Sequence, residues 1–178
     1  FGIEQCRSIL NNTGSDTESR AVHLSWLLHL IGDLHQPLHA VALVTDDYPK
    51  GDRGGNSFWI IANKAPVNLH SYWDGLLGRS RNMRTLYNEA ARLKVAHPDI
   101  SDGHREQADP VQWATESRQT AIESVYLRGT LLGGMEKAGA VQLPENYSTE
   151  AKIRAEHRAY LASVRTAKGL SAIFARAR

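Results

Sequence analysis

Helical apolar spacing marks residues 24–40, LSWLLHLIGDLHQPLHA, the stretch around which the rest of the chain is organised. Leu24, Leu27, Leu28, Ile31, Leu34 and Leu38 recur at three- and four-residue intervals, and the segment is apolar almost all round. This predicts a buried helix. Ser15, Asp16 and Thr17 offer N-caps and Glu18 suits the positive end, so the helix runs from there to about Pro37 or one turn further. Residues 2–10 predict a shorter helix that ends in the polar run NNTGSD. Beyond the central helix, residues 45–56 are a polar loop with three glycines. Residues 58–61, FWII, are β-prone and read as a short strand or one arm of a hairpin.

Pro66 and Asn68 introduce a helix carrying His70, Tyr72, Trp73 and Asp74, which stops near Gly75 or Gly78. Residues 81–97 are amphipathic, with Leu86, Ala90 and Leu93 on one side, and end before Pro98. Residues 98–109 read as loop. Asp109 caps a helix that begins at Pro110, a favoured first-turn proline, and runs to about residue 127. A glycine-containing turn follows. Pro144 and Ser148 lead into a last helix over 149–176, whose basic end, Arg176 and Arg178, suits a negative helix terminus. The sum is one all-α domain over residues 1–178 with a small β-hairpin excursion.

The polar exceptions inside the central segment carry the chemistry. A carboxylate or imidazole on a buried helix is costly unless something satisfies it. His29 and Asp33 are four apart and project from one face, as a nitrogen and an oxygen ligand for one metal ion would. On a straight helix His39 would be swung roughly 120° from Asp33. Pro37 removes a backbone donor and bends or ends the helix, so His39 can turn back toward the same cavity. His35, about 200° from Asp33 on the same geometry, reads as a satisfied core histidine. The His-x-x-x-Asp pattern recurs at His70 and Asp74. Nitrogen and oxygen donors without a cysteine among them suit zinc or another borderline divalent ion.

Composition narrows the picture only a little. The chain has 178 residues, 42% hydrophobic, which suffices for a core. A net charge of +2 argues against bulk electrostatic capture of nucleic acid, so a polyanion would be held by metal and a few side chains. No apolar run reaches the length of a membrane span. Cys6 is the only cysteine and has no intrachain partner. His23, His97, His104 and His157 read as surface or loop residues. Trp26, Trp59 and Trp73 read as core, and Glu116 and Glu123 as exposed helix charges rather than acceptors for a ligand imidazole.

Three motifs resemble the S1/P1-type nucleases, zinc-dependent single-strand-specific nucleases and 3′-nucleotidases. They are His29-x-x-x-Asp33-x-His35-Gln36-Pro37-Leu38-His39, then Asp52-Arg53-Gly54-Gly55-Asn56, then Asn68-Leu69-His70-x-x-Trp73-Asp74. Weaker echoes continue at Trp113-Ala114-x-Glu116-Ser117 and Leu143-Pro144-x-x-Tyr147. The resemblance implies the phospholipase C/P1 nuclease fold and three zinc ions in the complete protein. His29 would bind the first zinc of a close pair and Asp33 would bridge that pair, making it the catalytic carboxylate. His39, His70 and Asp74 would hold the third. The bridged pair would supply hydroxide for in-line attack on phosphorus, and the third zinc would neutralise charge on the phosphate and the leaving oxygen. Arg53 and Asn56 fall where the family meets its substrate, single-stranded DNA or RNA and 3′-nucleotides. Export, to the medium or the periplasm, is the family's habit.

Family members carry an N-terminal Trp, two His, an Asp and an Arg upstream of the central helix. Here Cys6 stands where the first of those histidines is expected, and the helix follows too soon for the rest. The chain therefore resembles the C-terminal two-thirds of a longer protein, with one complete zinc site, half of the paired one, and an N-terminal segment as its missing partner. Two other readings compete. A zinc phospholipase C-like enzyme would carry Glu in place of Asp74. A non-catalytic module would use a closed zinc site to clamp its helices.

Overall fold

The computed structural model describes residues 2–98, 100 and 102–175. Its elements are α1 (Gly2–Asn11), α2 (Thr17–His35), a 3-10 turn (Pro37–Ala40), β1 (Trp59–Ala62), β2 (Ala65–Asn68), α3 (Leu69–Gly75), α4 (Met83–Ala96), α5 (Asp102–Glu106), α6 (Pro110–Thr120), β3 (Val141–Gln142) and α7 (Tyr147–Ala175). The helices start where side chains cap them. Asp16 accepts from Ser19 N at 2.8 Å, Asn68 from Ser71 N at 2.7 Å, and Asp109 from Val111 N at 2.9 Å. The mostly helical architecture with a small sheet agrees with expectation. Arg176 and Arg178, expected at the end of the last helix, lie outside the described residues.

The sheet is larger than the sequence suggests. β1 and β2 form an antiparallel hairpin with Ala62 opposite Ala65, so only Asn63 and Lys64 turn the chain. Both have positive φ, 51° and 65°, as a tight two-residue hairpin requires. Pro66, expected to lead into a helix, sits in β2, an edge strand where its missing N–H costs nothing. β3 pairs parallel to β1 on the other side. Residues 98–109, expected as loop, contain the one-turn α5. α6 is followed by a π-type turn over Ala121–Val125 rather than by regular helix.

Two apolar clusters flank α2 and its sequel. One gathers Leu38, Phe58, Ile60, Leu69, Trp73, Val125 and Tyr147 around the sheet. The other packs Ile3, Cys6, Leu10, Leu27, Ile31 and Trp113 between α1, α2 and α6. Burial of α2 is one-sided, contrary to the all-round apolar pattern: Val22, Trp26 and Leu28 are exposed, Trp26 to 54%. Trp26 is thus not core, and its ring meets His29 edge-on at 5.8 Å. α4 is also less buried than its pattern predicts; Leu93 is covered, but Leu86 is exposed.

Candidate metal centre

α2 ends at His35, just short of the expected limit at Pro37 and without the further turn the sequence allows. Gln36 is extended (φ −79°, ψ 118°) and Pro37 opens the 3-10 turn that carries His39 back toward α2. One helical turn apart, His29 Nε2 and Asp33 Oδ2 lie 3.1 Å from each other. His39 sits between two carboxylates, its Nδ1 3.6 Å from Asp33 Oδ2 and its Nε2 3.9 Å from Asp74 Oδ1. The kink at Pro37 therefore has the predicted consequence.

α3 supplies the facing side. His70 Nε2 is 3.5 Å from Asp74 Oδ2, and the His39 and His70 rings stack 5.0 Å apart at 13°. A backbone contact orients His70, whose Nδ1 lies 2.7 Å from the Gly54 carbonyl. A carbonyl can only accept, so Nδ1 is the donor, and in the neutral ring Nε2 is the nitrogen with a lone pair for a cation. Gly54 takes φ +62°, and a Cβ there would stand 2.6 Å from the Leu38 carbonyl. The turn is braced from beneath by Asp52, which is fully buried. Asp52 accepts from Leu43 N at 2.9 Å and from the Tyr126 hydroxyl at 2.6 Å. Burial, and then the hydrogen bond to Asp52, push the Tyr126 hydroxyl far above its ordinary range.

Donor atoms of His39, His70 and Asp74 all lie within 4.8 Å of one another. A tetrahedral zinc with ligands at about 2.0–2.2 Å holds its donors roughly 3.5 Å apart, so a small inward movement would let one cation touch all three. Two imidazoles, one carboxylate and no thiolate fit zinc. Nearly half of the Asp74 side chain is exposed, so solvent reaches the group. Asp33 and His39 stand on the wall between two cavities of about 230 and 450 Å³, and Asp74 lines the smaller.

The remaining candidates have plainer surroundings. Arg53 and Asn56 are exposed on the glycine turn, and Asn56 Nδ2 donates to the Arg53 carbonyl at 3.0 Å. Neither lines those two cavities. His35 is a core residue as expected: Nδ1 donates to the Ile31 carbonyl at 2.8 Å and Nε2 accepts from Arg165 at 2.9 Å. Burial first, with the Arg158 and Arg165 charges, lowers its pKa to about 3.

Two readings are corrected. Glu116 is no solvated charge: it accepts from Arg158 at 2.8 Å and from Arg165 at 2.7 Å, joining α6 to α7 behind the site. His97 is buried beneath His157 and Tyr160 instead of lying on the surface. The sequence reading also gave no role to Gln36, to the Gly54 carbonyl or to the Asp52–Tyr126 pair. The extended residue before Pro37 was the available signal for the first, and a glycine pair directly after an acidic residue for the others.

The S1/P1 Nuclease family model matches residues 1–175. The chain belongs to the S1/P1 nuclease family. Similar proteins include two from Arabidopsis thaliana. Endonuclease 4 is 32% identical over 104 residues, covering 58% of this chain and 32% of that protein. Endonuclease 5 is 31% identical over 144 residues, covering 68% and 46% respectively. This S1/P1-family chain thus spans a third to just under half the length of these curated relatives.

Proposed function

We propose that the complete protein is a zinc-dependent endonuclease and 3′-nucleotidase, which hydrolyses single-stranded DNA and RNA to 5′-mononucleotides. The observation that carries this reading is the convergence of His39, His70 and Asp74, linked through His39 to Asp33, in a chain of this family. His39, His70 and Asp74 hold one cation; His29 and Asp33 contribute to a neighbouring pair, with Asp33 as the catalytic carboxylate. Bound zinc supplies Lewis acidity and a nucleophile at neutral pH. The side chains of this chain do the rest. His70, its tautomer fixed by Gly54, presents Nε2 to the site, and Asp33 faces both His29 and His39. Arg53 and Asn56, exposed on the turn next to His70, meet the substrate's phosphate and base.

We attribute single-strand preference to recession of the cluster in the complete protein, since in this chain the side chains of His29, Asp33 and Asp74 are 39–60% exposed. A phosphate reaches a cluster set between α2 and α3 only if the backbone bends inward and a base leaves its stack, which a duplex resists. Aspartate rather than glutamate at position 74 favours the nuclease over a phospholipase C-like enzyme. The accessible Asp74 speaks against a closed structural clamp. Two donors do not complete the His29/Asp33 site, and the relatives are longer, so we assign the outstanding ligands to an N-terminal segment of the complete, exported protein. The test is digestion of denatured DNA, RNA and duplex DNA by the complete protein. Denatured DNA and RNA should be cut faster than duplex, and a chelator should stop both reactions. Duplex cut as readily as single strands, or activity indifferent to the chelator, would overturn the reading.

A further inference from the structure

Gln36 touches both halves of the candidate centre, through the Asp33 carbonyl and the Asp74 carboxylate, and none of the ligand assignments uses it. It lies in the single extended position between α2 and the 3-10 turn. Its backbone N–H donates to the Asp33 carbonyl at 3.0 Å, and its own carbonyl accepts from His39 N at 3.1 Å. The side chain divides its two functions. Oε1 accepts from Leu38 N at 2.5 Å and caps the turn that carries His39. Nε2 crosses to α3 and donates to Asp74 Oδ1 at 2.9 Å.

We propose that Gln36 is a positioning residue for the cation held by His39, His70 and Asp74, a role resting on the metal-site reading above. Asp74 sits near the end of a seven-residue helix with its side chain nearly half exposed, so little else restricts its rotation. The amide N–H engages one carboxylate oxygen and leaves Oδ2 directed to the His70 side. The same side chain, through Leu38 N, sets the turn from which His39 projects. A primary amide is needed because the position must accept and donate at once. Partners that orient metal ligands in this way typically set metal affinity by about 10–100-fold.

Two substitutions separate this role from simple turn capping. Gln36→Met keeps the length and loses both hydrogen bonds. Gln36→Glu keeps an acceptor for Leu38 N but sets a carboxylate against Asp74. Zinc affinity of the complete protein is measured by competition with a chromogenic chelator, alongside the melting temperature of the chelated protein. The proposal expects both variants to bind the His39/His70/Asp74 zinc roughly tenfold or more weakly, with Gln36→Glu melting close to wild type. Wild-type affinity in Gln36→Glu reduces Gln36 to a turn cap and overturns the proposal. Tighter binding by Gln36→Glu, with the new carboxylate acting as a ligand, overturns it too. If wild type itself binds no zinc that His70→Ala removes, the metal-site reading fails, and the two failures are distinct.

Discussion

The Gly54 carbonyl accepts a hydrogen bond from His70 Nδ1 at 2.7 Å, across sixteen residues of chain. The glycine turn and the ligand helix are thereby one unit. Gly54 has φ +62°, and an added Cβ would press on the Leu38 carbonyl, the residue before His39. Gly54→Ala should cost on the order of 1–3 kcal/mol of backbone strain and weaken zinc binding by displacing His70 and the His39 turn together. Urea unfolding of the chelated protein measures the first effect and chelator competition the second.

Tyr126→Phe probes the brace below that turn. It removes the donor to a fully buried Asp52 carboxylate and leaves Leu43 N as the other partner. The expected loss is about 1–3 kcal/mol, read from the urea midpoint. An unchanged midpoint would mean that Asp52 finds another donor.

Asp33 and His35 are two residues apart but point to different places. Asp33→Asn should lower phosphodiesterase activity on the order of 100-fold and leave the melting temperature of the chelated protein nearly unchanged. His35→Gln should do the reverse, because the His35 ring bonds to the Ile31 carbonyl and Arg165 in the core. Activity assays and thermal melts of both variants check this. Equal effects on activity would mean that Asp33 has no special part in the chemistry.

Glu116 gives the fold an acid limit. Burial alone would raise its carboxyl, but hydrogen bonds and charge from Arg165 and Arg158 outweigh that and hold it at about 2, below the ordinary 4.5. The folded state thus binds this proton less readily than the unfolded chain does. Its stabilisation is fully present above pH 4.5 and is lost as pH falls from about 4.5 toward about 2. Glu116→Gln should destabilise at neutral pH by on the order of 3 kcal/mol, since it leaves two buried guanidiniums uncompensated. Its difference from wild type should shrink through that acid window in urea titrations.

Much of this was legible in the chain, for identifiable reasons. The caps at Asp16, Asn68 and Asp109 and the stop before Pro37 are local effects, so sequence states them. The two His-x-x-x-Asp pairs share helix faces by periodicity alone, and one proline turns His39 toward them. What stayed hidden depends on tertiary partners. Pro66 reads as a breaker until β1 lies beside it, and β3 gives no strand signal until Val141 pairs with Ile60, 81 residues away. Glu116 reads as solvated until two arginines of α7 arrive, and Trp26 as core because composition cannot say which side of α2 lacks a neighbour. Gln36 offers only its place before Pro37; its bond to Asp74 exists only once α3 is opposite.

Zinc content per chain, measured on the complete protein and on its His70→Ala and Asp74→Ala variants, addresses the centre most directly. The wild type should carry zinc, and each variant should lose one and the same equivalent, with the double variant losing no more than either single one. A zinc-free wild type, or variants that keep their full complement, would contradict the assignment of His39, His70 and Asp74 to a metal ion.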